Sequence, residues 1–233
     1  MVSSLEMAKS TYFGPEVFQF LTDLKKHNDR EWFLANKTRY EEQARDPFLR
    51  LIADLQPGFE KINPRIVVDP SPSRGSMMRI YRDIRFSADK TPYKTNLAAH
   101  FKHAKAKDGA IPGYYIHIAP GECMIGAGIW QPEPREAQKI RNAIVAEPKR
   151  WQKLTAGKKF GTACMIGESL KRPPAGIDPN HPLIEDLKRK DFAVSVPLED
   201  SDVCGPNLLK LLLGNFQAAA PFVQFLSEAV GLK

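Results

Sequence analysis

The sequence predicts an α+β fold, an antiparallel sheet flanked by N-terminal and C-terminal helices. Three observations carry this prediction. Apolar residues recur at helical spacing before residue 60 and again after residue 133, with a further apolar run from Leu208 to Val230. Strand-like segments lie between them. Two of these segments, Tyr114 to Ile118 and Cys123 to Trp130, are joined at Pro120-Gly121, which reads as a hairpin. Runs of strands set between runs of helices favour a helix-flanked antiparallel sheet over a parallel wrap.

Taken in order, residues 1–11 read as a flexible N-terminus and 12–233 as one domain. Gly14-Pro15 opens a helix with Val17, Phe18, Leu21 and Leu24 on a common side, ending near His27. Asn28 or Asp29 caps a second helix carrying Trp32, Phe33 and Tyr40; Asp46-Pro47 starts a third, with Phe48, Leu51, Ile52 and Leu55 facing one way until Pro57-Gly58 stops or bends it. Prolines 64, 70 and 72 then make an irregular connection around Ile66-Val67-Val68. Strands are expected near 78–87, 96–103, 113–119, 122–130 and 192–198. Gly126 and Gly128 occupy alternate positions of one strand, so one face there is bare and open to a backbone, a ring or a ligand. Helices follow at Pro134 and Pro148, the stretch from Gly161 to Ser169 has no assignable pattern, and a short helix precedes the last strand. The final apolar region begins at Pro206, with Pro221 starting a new helix.

Composition narrows the function classes. The chain has 233 residues and a formal net charge of +7. Residues 70 to 110 hold nine Lys and Arg against three acids, so nearly the whole excess is local. Such a field attracts phosphate, nucleic acid or acidic headgroups. Three well-separated cysteines, Cys123, Cys164 and Cys204, imply no disulfide framework and no zinc site. The start lacks the apolar run of a signal peptide and no segment approaches eighteen consecutive apolar residues, which gives the expectation of a cytoplasmic protein without a membrane partner. Nucleophile-elbow, phosphate-loop and His-Glu-x-x-His signatures are absent, and His100 and His103 diverge on a strand, so no metal and no cofactor are expected.

The densest chemistry runs from Arg79 to Asn96, where five cations, two acids and two tyrosines share eighteen residues. Met78, Ile80, Ile84 and Phe86 alternate as on a strand, sending Arg79, Tyr81, Asp83 and Arg85 to the other side. Arg82 falls with the apolar set. An arginine on a core-facing side must be paired with a protein carboxylate or an anionic ligand. Asp89-Lys90-Thr91-Pro92 is a turn with Asp89 as an Asx-type acceptor.

The block Arg-Ile-Tyr-Arg-Asp-Ile-Arg-Phe-Ser-Ala-Asp-Lys-Thr-Pro-Tyr-Lys-Thr, Arg79 to Thr95, resembles the hallmark of the bacterial and fungal family catalogued as domain of unknown function 2461. Phe18 to Leu24 with His27-Asn28 and Glu31-Trp32-Phe33 is similar to that family's opening, and Gly113-Tyr114-Tyr115 through Gly126-Ala127-Gly128 to its central hairpin. The resemblance spans about residues 12 to 230. It implies a single α+β domain and no particular activity.

The residues themselves leave two functional classes open. In the first, Arg79, Arg82, Arg85, Lys90 and Lys94, with Tyr93 and Asp83 as orienting partners, bind a phosphorylated small molecule or nucleic acid, because arginine's forked donors match phosphate geometry. In the second, the cluster is an internal ion-pair network of a structural or protein-interaction domain. The first class also places Gly126 and Gly128 on the same concave surface as the cations.

Overall fold

The structure, a computed structural model, describes residues 12–105, 111–155 and 164–232. The N-terminal segment 1–11, the expected Asp108-Gly109 turn and the Lys158-Lys159 pair lie outside the described residues.

Helix α1 (Glu16–Lys26) buries Val17, Phe20, Leu21 and Leu24, the periodic set of one face. Asp29 then caps α2 (Arg30–Ala35), accepting from the Trp32 amide at 2.9 Å. Helix α3 (Lys37–Tyr40) runs through a π-helical turn at Glu41–Arg45 into α4 (Asp46–Ile62), whose buried face carries Phe48, Leu51, Ile52, Leu55 and Phe59. Pro57 does not stop α4. It sits on the exposed side, where the carbonyl four residues back that loses its donor faces toward water. Gly58 instead serves packing: a Cβ there would lie 2.3 Å from the Leu213 side chain.

Six antiparallel strands form one sheet in the order β1-β2-β3-β4-β6-β5: β1 (Ile66–Val67), β2 (Leu97–His103), β3 (Gly113–Ile118), β4 (Cys123–Ile129), β5 (Cys164–Ile166) and β6 (Phe192–Leu198). The four longer ones fall where the alternation places them. The two short outer strands occupy stretches read as irregular or unassigned, because their partners, His103 and Ser195, are distant in sequence.

The expected strand near 78–87 is absent. Its strand pairing is reduced to isolated bridges, Met77 to Ala99 and Tyr81 to Tyr93. Two Asx turns break the extension: the Arg85 amide donates to the Asp83 carboxylate at 3.3 Å, and the Thr91 amide to Asp89 at 2.9 Å. Ile80 is buried, but Phe86 is 96% exposed, so the apolar alternation does not define a core face.

After the sheet's central strands come α5 (Pro134–Ala146) and α6 (Pro148–Thr155); α7 (Ile184–Leu187) precedes β6, and α8 (Asp200–Val203) leads to α9 (Leu208–Val230). Pro221 lies inside α9 on its exposed side and starts no new helix, for the reason given for Pro57. Helix α9 packs on α4, β3 and β4. At their junction Phe59 lies 5.1 to 5.2 Å, ring centre to ring centre, from Phe101, Tyr114 and Phe216. Burial of each such ring stabilises the fold by roughly 2–3 kcal/mol. No described helix is long and apolar enough to cross a membrane.

Candidate functional site

With α4 and α9 on one face of the sheet, strand alternation sends a second set of side chains to the other. Register aligns that set in rows: Ala98, His117, Met124 and Pro197; then His100, Tyr115, Gly126 and Ser195; then Lys102, Gly113, Gly128 and Ala193. Large groups crowd the first rows and the glycines leave the centre bare. The result is a groove of about 450 Å³, with Met78, Trp130 and Ile166 at its margins.

The glycines of β4 differ in kind. Gly128 has φ +122°, and a Cβ there would lie 2.2 Å from the Phe192 carbonyl oxygen. Only glycine fits. Gly126 has ordinary backbone geometry, and a Cβ there would press on the Tyr115 Cβ at 3.3 Å.

Polar groups in the groove are few and uncharged. The Tyr115 hydroxyl lies 3.2 Å and the Asn96 amide nitrogen 3.5 Å from His117 Nδ1. Both contacts hold the imidazole in place through Nδ1. Burial lowers the pKa of His117, and burial followed by repulsion from Lys102 lowers that of His100 to about 4. Both rings are neutral at pH 7. No group of three or more metal-ligating side chains occurs among the described residues.

The basic segment lies past Asn96 and makes a separate hollow of about 390 Å³, lined by Lys25, Asn28, Arg82, Asp89, Thr91, Tyr93, Lys94 and Asn96 among others. Of the residues singled out from sequence, Arg82, Tyr93 and Lys94 line it. Arg82 is not in the core; it is 28% exposed and holds Asp89 and Thr91. These contacts, with the Thr91 amide foremost, pull the Asp89 pKa down to about 2. Tyr93 is buried and stacks on Phe33 at 4.1 Å, while the Asn28 side chain accepts from its amide and donates to its carbonyl, both at 3.0 Å.

The remaining members line neither hollow. Arg85 forms a two-pronged pair with Asp83, at 2.9 and 2.7 Å, and lies 5.7 Å from the Phe86 ring centre. Lys90 donates to the Ile84 carbonyl at 3.0 Å. Arg79 and Lys94 are different: neither has an ion pair or side-chain hydrogen bond among the described residues. Lys94 is half-buried, and burial, with repulsion from Arg79, lowers its pKa.

Of the five cations expected from sequence, Arg82 and Lys94 line the hollow and Arg79, Arg85 and Lys90 do not, while Lys25, Asn28 and Asn96 were missed. Sequence reasoning also missed the company of the glycines. Gly126 and Gly128 share their concave surface with His100, Tyr115 and His117 and with Met78, next to Arg79, not with the cations themselves. Alternation on β2 and β3 was the available signal, but register was needed to join the strands.

Together these features define an α+β protein with helices packed on one face of an antiparallel sheet and a glycine-floored groove on the other. A family model described as "Conserved hypothetical protein (DUF2461)" matches residues 16–225, and the chain belongs to that family. No curated protein and no solved structure matches the chain.

Proposed function

We propose that the protein binds a phosphate-bearing small molecule at the hollow formed by Arg82, Lys94 and Lys25, with Arg79 beside them. The supporting observation is Lys94: a half-buried ammonium, set against a second cation and without a described carboxylate partner. Burying a charge beside a like charge is unfavourable unless an anion completes the site. Asn28, Thr91 and Asn96 add amide and hydroxyl groups to the same lining. The hollow's modest size favours a small phosphorylated ligand over nucleic acid, which calls for a broad basic track.

Calorimetric titration with inorganic pyrophosphate tests this reading. Lys94→Ala is expected to weaken binding about tenfold, the usual cost of one charge-assisted hydrogen bond. Because an anion favours the charged ammonium, affinity falls as pH rises through the lowered pKa of Lys94. No binding by the wild type, or equal binding by Lys94→Ala, refutes the proposal. For nucleic acid, affinity would instead fall steeply with salt, by nearly one logarithmic unit of slope per phosphate contacted.

A second reading, the internal ion-pair network, is favoured for Arg82 and Arg85 by their pairing with Asp89 and Asp83. Under it, Arg82→Ala disorders the 82–91 loop and removing Lys94 has no effect on anion binding.

A further inference from the structure

The groove and the anion hollow meet at Asn96. This residue lines the hollow, while its amide lies 3.5 Å from His117 in the groove. A second connection runs through the chain itself: Met78 lines the groove and Arg79 follows it. An uncharged surface thus adjoins a cationic pair.

The groove's shape narrows what fits there. Gly113 and Gly128 are directly paired across β3 and β4, and Gly126 is two residues from Gly128 on the same face. Glycines at these positions leave a floor of peptide groups, and at Gly113 and Gly128 a Cβ would clash with the neighbouring backbone. Tyr115 and His117 rise beside it, Trp130 stands half-exposed at its margin, and Met78 and Met124 supply polarizable thioethers. Aromatic and thioether walls over a floor of peptide groups suit stacking of a planar ring better than a flexible chain. Among the described residues the lining holds no carboxylate, lysine or arginine, which favours an uncharged group in the enclosed part. The neutral His117 ring offers it a hydrogen-bonding nitrogen.

We infer that the ligand is a phosphate monoester of a planar ring compound, its ring in the sheet-face groove and its phosphate in the adjoining hollow against Lys94. This rests on the anion-site reading and specifies what the anion is attached to.

The test is a titration of the full chain, at one ionic strength, with flavin mononucleotide and adenosine 5′-monophosphate. Riboflavin, adenosine, octyl phosphate and inorganic phosphate serve as the partial probes. At least one ring phosphate is expected to bind about tenfold or more tightly than both its unphosphorylated parent and inorganic phosphate, since one tethered group raises the local concentration of the other. Gly126→Leu, which fills the groove, should reduce that ring phosphate to the affinity of inorganic phosphate. Trp130→Ala, at the half-exposed margin, should weaken it in the same direction without the folding risk. Lys94→Ala should reduce it to the affinity of its parent ring.

The inference is overturned if neither ring phosphate exceeds inorganic phosphate, if octyl phosphate binds more tightly than both, or if folded Gly126→Leu and Trp130→Ala proteins bind as the wild type does. Inorganic phosphate that binds, while the ring adds nothing, refutes this inference alone. Pyrophosphate, inorganic phosphate and both ring phosphates all failing to bind refutes the anion site, and this inference with it.

Discussion

Tyr114 on β3 and His100 on β2 point to opposite faces of the sheet and give two different predictions. The Tyr114 hydroxyl is buried against α9 with no hydrogen-bond partner among the described residues. Leaving a buried hydroxyl unpaired costs about 1–3 kcal/mol. Tyr114→Phe is therefore expected to raise stability by about 1 kcal/mol, measured by urea unfolding, while keeping the ring contacts to Phe59 and Phe216. Across the strand pair from Tyr115 lies His100, and there the effect depends on pH. Its folded pKa of about 4 lies below the ordinary 6.5, so between these values the unfolded chain binds more protons than the folded one. Its contribution is fully present above pH 6.5 and is lost as pH falls toward 4. The span corresponds to about 3 kcal/mol. Unfolding curves across this range should show His100→Asn losing less stability on acidification than the wild type. Equal losses would mean that His100 is not desolvated in the groove.

Elements are held together here by a few directed contacts as well as by apolar area. Arg141 of α5 is buried and donates from Nε to the Leu187 carbonyl and from Nη2 to the Arg189 carbonyl, both at 2.8 Å. It thus supplies donors to the end of α7, where helical carbonyls lack them. Arg141→Leu leaves both carbonyls without that donor in a buried place and should cost about 2 kcal/mol or more, read as a lowered unfolding midpoint. The 82–91 loop presents the contrary case. Phe86 touches little besides Arg85, so Phe86→Ser should change stability by less than about 0.5 kcal/mol. A larger loss would show that the ring packs in solution. The same loop explains why alternation misled at 78–87: a period of two is necessary for a strand but does not supply ladder partners, and the carboxylates of Asp83 and Asp89 captured the local amides first. Where the ladder is continuous, as from Leu97 to His103, alternation read correctly, and His100 and His103 do face opposite sides.

At the scale of the molecule, local patterns disclosed the helices, the four central strands and their antiparallel character. They did not disclose long-range closure. Nothing near Ile66 or Cys164 in sequence announces a strand, and nothing near Pro57 or Pro221 says that the helix can continue because that side meets water. The candidate site was legible in halves: the cations by their density, the groove by its bare glycines. Their junction at Asn96 depends on a bend just before β2 that no spacing rule describes.

Synthesis order gives the α4–α9 contact a further meaning. Phe59, Phe101 and Tyr114 leave the ribosome well before Phe216, which completes their cluster from the last helix. At elongation rates of about 5–20 residues per second, the interval from Tyr114 to Phe216 lasts roughly 5 to 20 seconds. During that time an apolar sheet face and the inner side of α4 await their cover, a natural hold for a chaperone. A chain ended before Leu208 would remain in that condition permanently. It should aggregate or be cleaved where the full chain resists protease, and a protease-resistant soluble truncation would show that the N-terminal part closes its core without α9.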